Sequence, residues 1–273
     1  MSLAQPLHEL HGLPAYDFPG PGATSELPAA DAVAWRIHVD IPSADEEGTP
    51  DDEEGAAGAD FAAAFERFLT TVDASRVRAL IVGWWGGSAE RDSGDAIARI
   101  AAARDRLTSL RAVFVGDVAD ERITFSRIRQ ADVTPLLAAY PELRELGVRG
   151  GSGLEFPAVG HTRLRTLSFE SSGLPASVVR GVAASELPAL EYLEMWLGTP
   201  EYGGDATVAD LAPILDGERL PELSHLGLQN SGIQDEFAAA VATAPVVRQL
   251  DSLELSMGVL TDEGGEALLK GTR

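Results

Sequence analysis

The sequence predicts an α/β fold built as a solenoid, a horseshoe with a curved parallel sheet on its concave face and helices on its convex face. Three observations predict it. An L-x-x-L-x-L frame recurs seven times between residue 77 and the C-terminus. The spacings between copies, 33, 33, 21, 26, 33 and 27 residues, leave room after each short strand for a turn and a helix. The intervening segments carry helical apolar spacing with capping signals. A single strand-turn-helix unit cannot bury its own apolar face, so stacked units must share one continuous core.

The first element is an N-terminal capping region over residues 1–76, of which residues 1–34 suggest no fold. WRIHVDI alternates Trp35, Ile37, Val39 and Ile41 as a strand does, and Phe61, Phe65, Phe68, Leu69 and Val72 form a helical stripe assigned to the core. Between them, residues 43–60 hold eight acidic residues and no basic one. Such a run reads as a solvated, disordered loop. It lacks the alternating ligand register and closing glutamate of a calcium loop.

The second element is the array of about seven repeats over residues 77–273. Its copies begin at Val77, Leu110, Leu143, Leu164, Leu190, Leu223 and Leu250. Ile97, Ile100, Ala101 and Leu107 follow helical spacing between the first two copies. Pro135 behind Asp132 and Thr134 marks a helix start, as does Pro175, and the segments 235–244 and 261–269 open with a capping residue and an acidic first turn. The chain stops just after the seventh helix. Either that helix is itself the cap or the chain is cut short of a C-terminal cap, and the unpaired edge of the seventh strand favours truncation.

Composition narrows the function. The 273 residues are 45% hydrophobic, enough for a sizeable core. With no cysteine there is no disulfide framework, thiolate metal site or cysteine nucleophile, which fits a reducing compartment. No Lys or Arg precedes Arg36, so the charged start of a secretory signal is missing, and the apolar runs are too short to cross a bilayer. A cytoplasmic location follows, with no membrane partner. The 43 acidic and 21 basic residues give a formal charge of −22, which repels nucleic acid. One lysine, Lys270, against many arginines, with abundant alanine and glycine, suggests a GC-rich bacterial origin.

The last two copies, LSHLGLQNSGIQDE and LDSLELSMGVLTDEGGEALL, resemble leucine-rich repeats of the ribonuclease-inhibitor type, whose pattern is L-x-x-L-x-L-x-x-(N/C)-x-L-x-(D/E). The resemblance implies a protein-binding module. Where that type has asparagine or cysteine this chain has Ser231 and Gly258, so the side-chain ladder of the loop is either absent or supplied by Asn230. Upstream, HELHGLPAYDFP, His8 to Pro19, resembles the opening of a family of bacterial cytoplasmic leucine-rich-repeat proteins. Members of that family tend to be encoded beside radical-SAM and ATP-grasp proteins, which implies a role beside enzymes that modify a peptide or small molecule.

In this frame the leucines point inward, and strand alternation aims the third, fifth and seventh positions at the concave face. Over the first two repeats those positions are small or apolar, and the N-terminal segment is expected to fold over them and bury Ile81 and Phe114. From the third repeat they carry charges and aromatics. Arg149, Glu170, Tyr192, Glu194, Trp196, His225, Gln229 and Glu254 are the candidate partner-binding residues, because exposed aromatics beside hydrogen-bonding groups make interface anchors. Trp196 has a second reading, packed under the loop at 198–210, and Arg149 with Glu170 has one as a cross-strand ion pair of small energetic value. Of Trp84 and Trp85, one is expected in the core and the other at the rim. His8, His11, His38 and His161 form no ligand-like cluster, so neither metal nor cofactor is expected.

A carboxylate-dependent hydrolase would use a pair such as Glu170 and Glu194, diagonal on adjacent strands at roughly 7 to 8 Å. Nothing in the sequence splits their acidities, and an open sheet face does not exclude water. No phosphate-loop, H-E-x-x-H or G-x-S-x-G motif occurs, and GVRGGSG at 147–153 lacks the lysine of a phosphate loop. The sequence therefore predicts a non-catalytic scaffold that binds a protein or peptide, with an accessory subunit recruiting or inhibiting a neighbouring enzyme as the alternative.

Overall fold

A computed structural model of the chain describes residues 5–23, 26–39, 61–86, 91–118 and 125–271. The acidic run at 43–60 lies outside them. The fold is α/β, with a ten-stranded sheet whose strands lie in chain order. The strands are β1 (Glu9–Leu10), β2 (Leu13–Asp17), β3 (Ala34–Ile37), β4 (Ala79–Val82), β5 (Ala112–Val115), β6 (Glu145–Arg149), β7 (Thr166–Glu170), β8 (Tyr192–Trp196), β9 (His225–Gln229) and β10 (Ser252–Glu254). All pair in parallel except β1, which turns back antiparallel on β2. His11 and Gly12, with φ of 56° and 70°, form the two-residue turn between them, a geometry that matches strand twist.

Seven α-helices occur among the described residues: α1 (Phe61–Thr71), α2 (Gly94–Ala102), α3 (Thr134–Ala139), α4 (Ala176–Ala184), α5 (Val208–Leu215), α6 (Gln234–Ala242) and α7 (Asp262–Gly271). Local chemistry sets their starts. Asp132 accepts from the backbone N–H and the hydroxyl of Thr134 at 2.9 and 2.6 Å ahead of Pro135, and Pro175 stands immediately before α4. Thr207 and Asp210 form a reciprocal capping box at α5.

The frame sets the register. Ala79, Ala112, Glu145, Thr166, Tyr192, His225 and Ser252 pair in one continuous row from β4 to β10. One residue earlier, a backbone carbonyl of each unit accepts two N–H groups from the next: Arg78 O from Arg111 and Ala112 at 2.8 and 3.1 Å, Arg144 O from Arg165 and Thr166 at 2.8 and 2.9 Å. The strand starts from β5 to β10 are thereby locked to their neighbours.

The frame leucines, among them Leu146, Leu167, Leu193 and Leu226, share one core with Phe65, Phe68, Ile100, Leu136, Val179, Leu211 and Phe237 from the helices. Both Trp84 and Trp85 are buried, stacked with ring centroids 5.8 Å apart, so the expectation that one would line a rim is corrected. The loop after β9 is held by Gln234, whose Nε2 donates to Leu228 O at 2.7 Å while its Oε1 accepts from Ser231 N at 3.1 Å. A Cβ on Gly258 would come within 2.3 Å of that Oε1, which is why a glycine stands there. Asn230 links loops by donating to Ser171 O at 3.0 Å.

Candidate functional site

The helices leave the other face of the sheet free, and its two halves differ. Over β3 to β5 the N-terminal segment closes it. Leu7, Leu10, Leu13 and Ala15 pack on Ala34, Ala79, Ile81, Ala112 and Phe114 in a second apolar cluster, as expected for Ile81 and Phe114. A polar clamp fastens the segment. Asp117, buried just beyond β5, accepts Leu7 N at 3.1 and 3.2 Å, Arg36 Nε at 2.8 Å and Arg149 Nη1 at 2.8 Å. Arg36 also donates to Asp17 Oδ1 at 2.8 Å and to Leu7 O, and His11 Nδ1 lies 3.2 Å from Glu145 Oε2. Asp117 was not among the sequence candidates. Its signal was positional, an acid directly after an apolar strand and a glycine with φ of 95°.

Arg149 corrects its expected role. It is only 4% exposed, because its guanidinium is enclosed between Asp117 and Glu170, 2.8 Å from each, near the Phe114 ring. It ends the clamp and does not face solvent. The cross-strand ion pair with Glu170 that was its second reading is present, with Asp117 as a further partner of the same guanidinium. Gly147 beneath is required by packing, as a Cβ there would lie 2.3 Å from Phe114. Gln229 is likewise buried, against the expectation that it would be accessible, because it lies in register beside Trp196 in the wall of the sheet.

The face of β7 to β10 has no such cover among the described residues. Tyr192, Glu194 and Trp196 project from one strand, all half-buried. Both outer side chains donate to the central carboxylate, Tyr192 Oη to Glu194 Oε2, and Trp196 Nε1 to Glu194 Oε1 at 2.6 Å. Glu194 leans over Gly227, where a Cβ would meet its Cγ at 3.0 Å. His225 stacks flat on Tyr192, centroids 4.1 Å apart and planes within 4°, and its Nδ1 lies 2.7 Å from Ser252 Oγ, while its Nε2 is buried without a hydrogen-bond partner. Glu254 flanks the group on β10. Neither Glu194 nor Glu254 forms an ion pair among the described residues. The structure thus brings Tyr192, Glu194, Trp196 and His225 together, with Glu170 and Glu254 at the sides.

Burial raises Glu170 above the ordinary glutamate value, Arg149 opposing and Glu194 assisting. Burial, then the bond to Glu194, raises the Tyr192 phenol, which stays protonated as a donor. Among the described residues no group of three or more His, Asp or Glu could hold a metal, and no helix is long and apolar enough to cross a membrane.

No protein-family model and no curated protein matches the chain. A crystal structure of a Bacteroides fragilis protein, determined as a structural-genomics target, is similar, with a TM-score of 0.72 and 29% identity over 77% of this chain. The match spans 59% of the length of that protein.

Proposed function

We propose that the chain is a leucine-rich-repeat solenoid of the ribonuclease-inhibitor type, and that it works as a non-catalytic scaffold binding a protein or peptide on the concave sheet face of its C-terminal half. The observation that carries this reading is the contrast within one face: β3 to β5 are covered by the chain's own N-terminal segment, whereas β7 to β10 present Tyr192, Glu194, Trp196 and His225 with no such cover among the described residues. Aromatic side chains fixed beside a carboxylate supply rigid contact area with hydrogen bonds at its centre, the composition of an interface anchor. Glu194 and Glu254, without cationic partners among the described residues and in a chain of net charge −22, favour a ligand that presents a basic side chain next to an apolar one. The bonds from Tyr192 and Trp196 occupy both oxygens of Glu194, which speaks for a structural acceptor over a catalytic carboxylate.

A displayed library of random peptides, selected against the wild type and against a folded Tyr192→Ser, Glu194→Arg, Trp196→Ser variant, tests the reading. Enrichment of peptides with Arg or Lys beside an aromatic residue, lost in the variant, is the expected result. Enrichment that survives the variant places recognition elsewhere and overturns it.

A further inference from the structure

A second surface carries the opposite charge. The residue that follows the first position of each frame is Arg78, Arg111, Arg144 and Arg165 in four consecutive units, then Glu191, Ser224 and Asp251. These residues immediately precede the paired row Ala79, Ala112, Glu145 and Thr166, so the four arginines stand in register on adjacent strands about 4.8 Å apart. Like charges directly opposite each other across strands are destabilising. The neighbours relieve this only at the ends. Arg165 pairs with Glu191 at 2.7 Å, and nearby Arg76 pairs with Asp31 at 2.8 Å. Arg78, Arg111 and Arg144 form no ion pair among the described residues, and Arg111 donates only to neutral carbonyls, Leu110 O at 2.8 Å and Thr108 O at 3.5 Å. Yet the chain has 43 carboxylates to its 21 basic residues. Among the described residues Asp31 acts on Arg78 without bonding it, and Arg111 and Arg144 have no ion-pair partner, an arrangement that suits a counter-charge from outside. Arg76, Arg78, Arg111 and Arg144, with Ser109, His11 and Asp31, the last held by Arg76, line a cleft of about 320 Å³.

We propose that this arginine row is a binding site for a small ligand carrying two or more adjacent phosphoryl groups, a function beyond the peptide-binding face. Guanidinium forks match phosphate oxygens two at a time, and neighbouring forks one strand spacing apart suit consecutive phosphoryl groups better than a single one. The size of the cleft and the repulsion from the rest of an acidic surface favour a free small molecule over nucleic acid or an anionic membrane.

The test is titration calorimetry of the full chain with inorganic tripolyphosphate, run beside orthophosphate and citrate, at low and at moderate salt. Wild type is expected to bind one tripolyphosphate, more weakly at higher salt, and to prefer it at least tenfold over orthophosphate and citrate. Arg78→Gln with Arg144→Gln lowers the affinity at least tenfold, while Arg180→Gln with Arg219→Gln, which removes the same charge elsewhere, leaves it unchanged. Melting curves confirm folding, and the Arg78→Gln, Arg144→Gln variant melts no lower than wild type because it relieves repulsion. No saturation of wild type, equal losses in both double variants, or equal binding of citrate overturns the proposal.

Discussion

Strands β4 and β5 differ from β7 and β8 in one respect that governs the rest: the former are buried on both faces and the latter on one. ALIV and AVFV are buried at every position, whereas TLSFE and YLEMW alternate between half-buried and buried. A strand covered twice reads as a continuous apolar run, and a strand covered once reads as an alternation. The same strand frame and register thus yield a sealed half, where the chain is its own ligand, and an open half with aromatic and acidic side chains in the corresponding rows.

The largest effect that would break this contrast is at Asp117. Asp117→Ala leaves the buried Arg149 and the partly buried Arg36 without their shared carboxylate and releases Leu7 N, so urea denaturation should show a loss of about 3 to 5 kcal/mol. A loss below about 1 kcal/mol would mean that water replaces the carboxylate and the half is not sealed. Phe114→Ala, in the apolar cluster under the segment, is next, at about 3 to 5 kcal/mol. The matching change on the open half, Trp196→Ala, should cost only about 1 kcal/mol, since the ring is half-buried. Equal losses from the two ring deletions would erase the distinction between the halves. Deleting residues 1–12 removes Leu7 and Leu10, each worth about 1.5 to 3 kcal/mol if fully buried. The deletion should also expose Ile81 and Phe114 to an apolar dye and leave the proposed peptide binding at β8 unchanged.

Much of this was legible in the residues, for reasons that differ by element. The frame fixed the strand starts and the row that pairs from Ala79 to Ser252, because period and pleat are local properties. The cover over Ile81 and Phe114 was legible too, since apolar residues at outward positions require one. That β2 and β3 extend the same parallel sheet was not, because Leu13–Asp17 and Ala34–Ile37 carry no copy of the frame. Burial of Arg149 was hidden for a similar reason. It depends on Asp117 and on the ring of Phe114, contacts between units that no single strand encodes. The bonds from Tyr192 and Trp196 to Glu194 lie within one strand at i and i+2, and only their side-chain directions were predictable.

Glu170 stands on the boundary, one oxygen taken by Arg149 of the sealed half and its carboxyl within the field of Glu194 of the open one. Burial dominates and raises its pKa, so the folded chain holds this proton more tightly than the unfolded chain. Stability from this group is therefore present at low pH and falls as pH rises from the ordinary glutamate value through the raised one. Glu170→Gln keeps an acceptor for Arg149 and removes the titration. In urea titrations across the mildly acidic range the variant should gain on wild type as pH rises, by a smaller margin than any of the effects above. If wild type gains instead, the attraction of Arg149 outweighs burial, and β7 belongs energetically to the sealed half, leaving β8 to β10 as the open face.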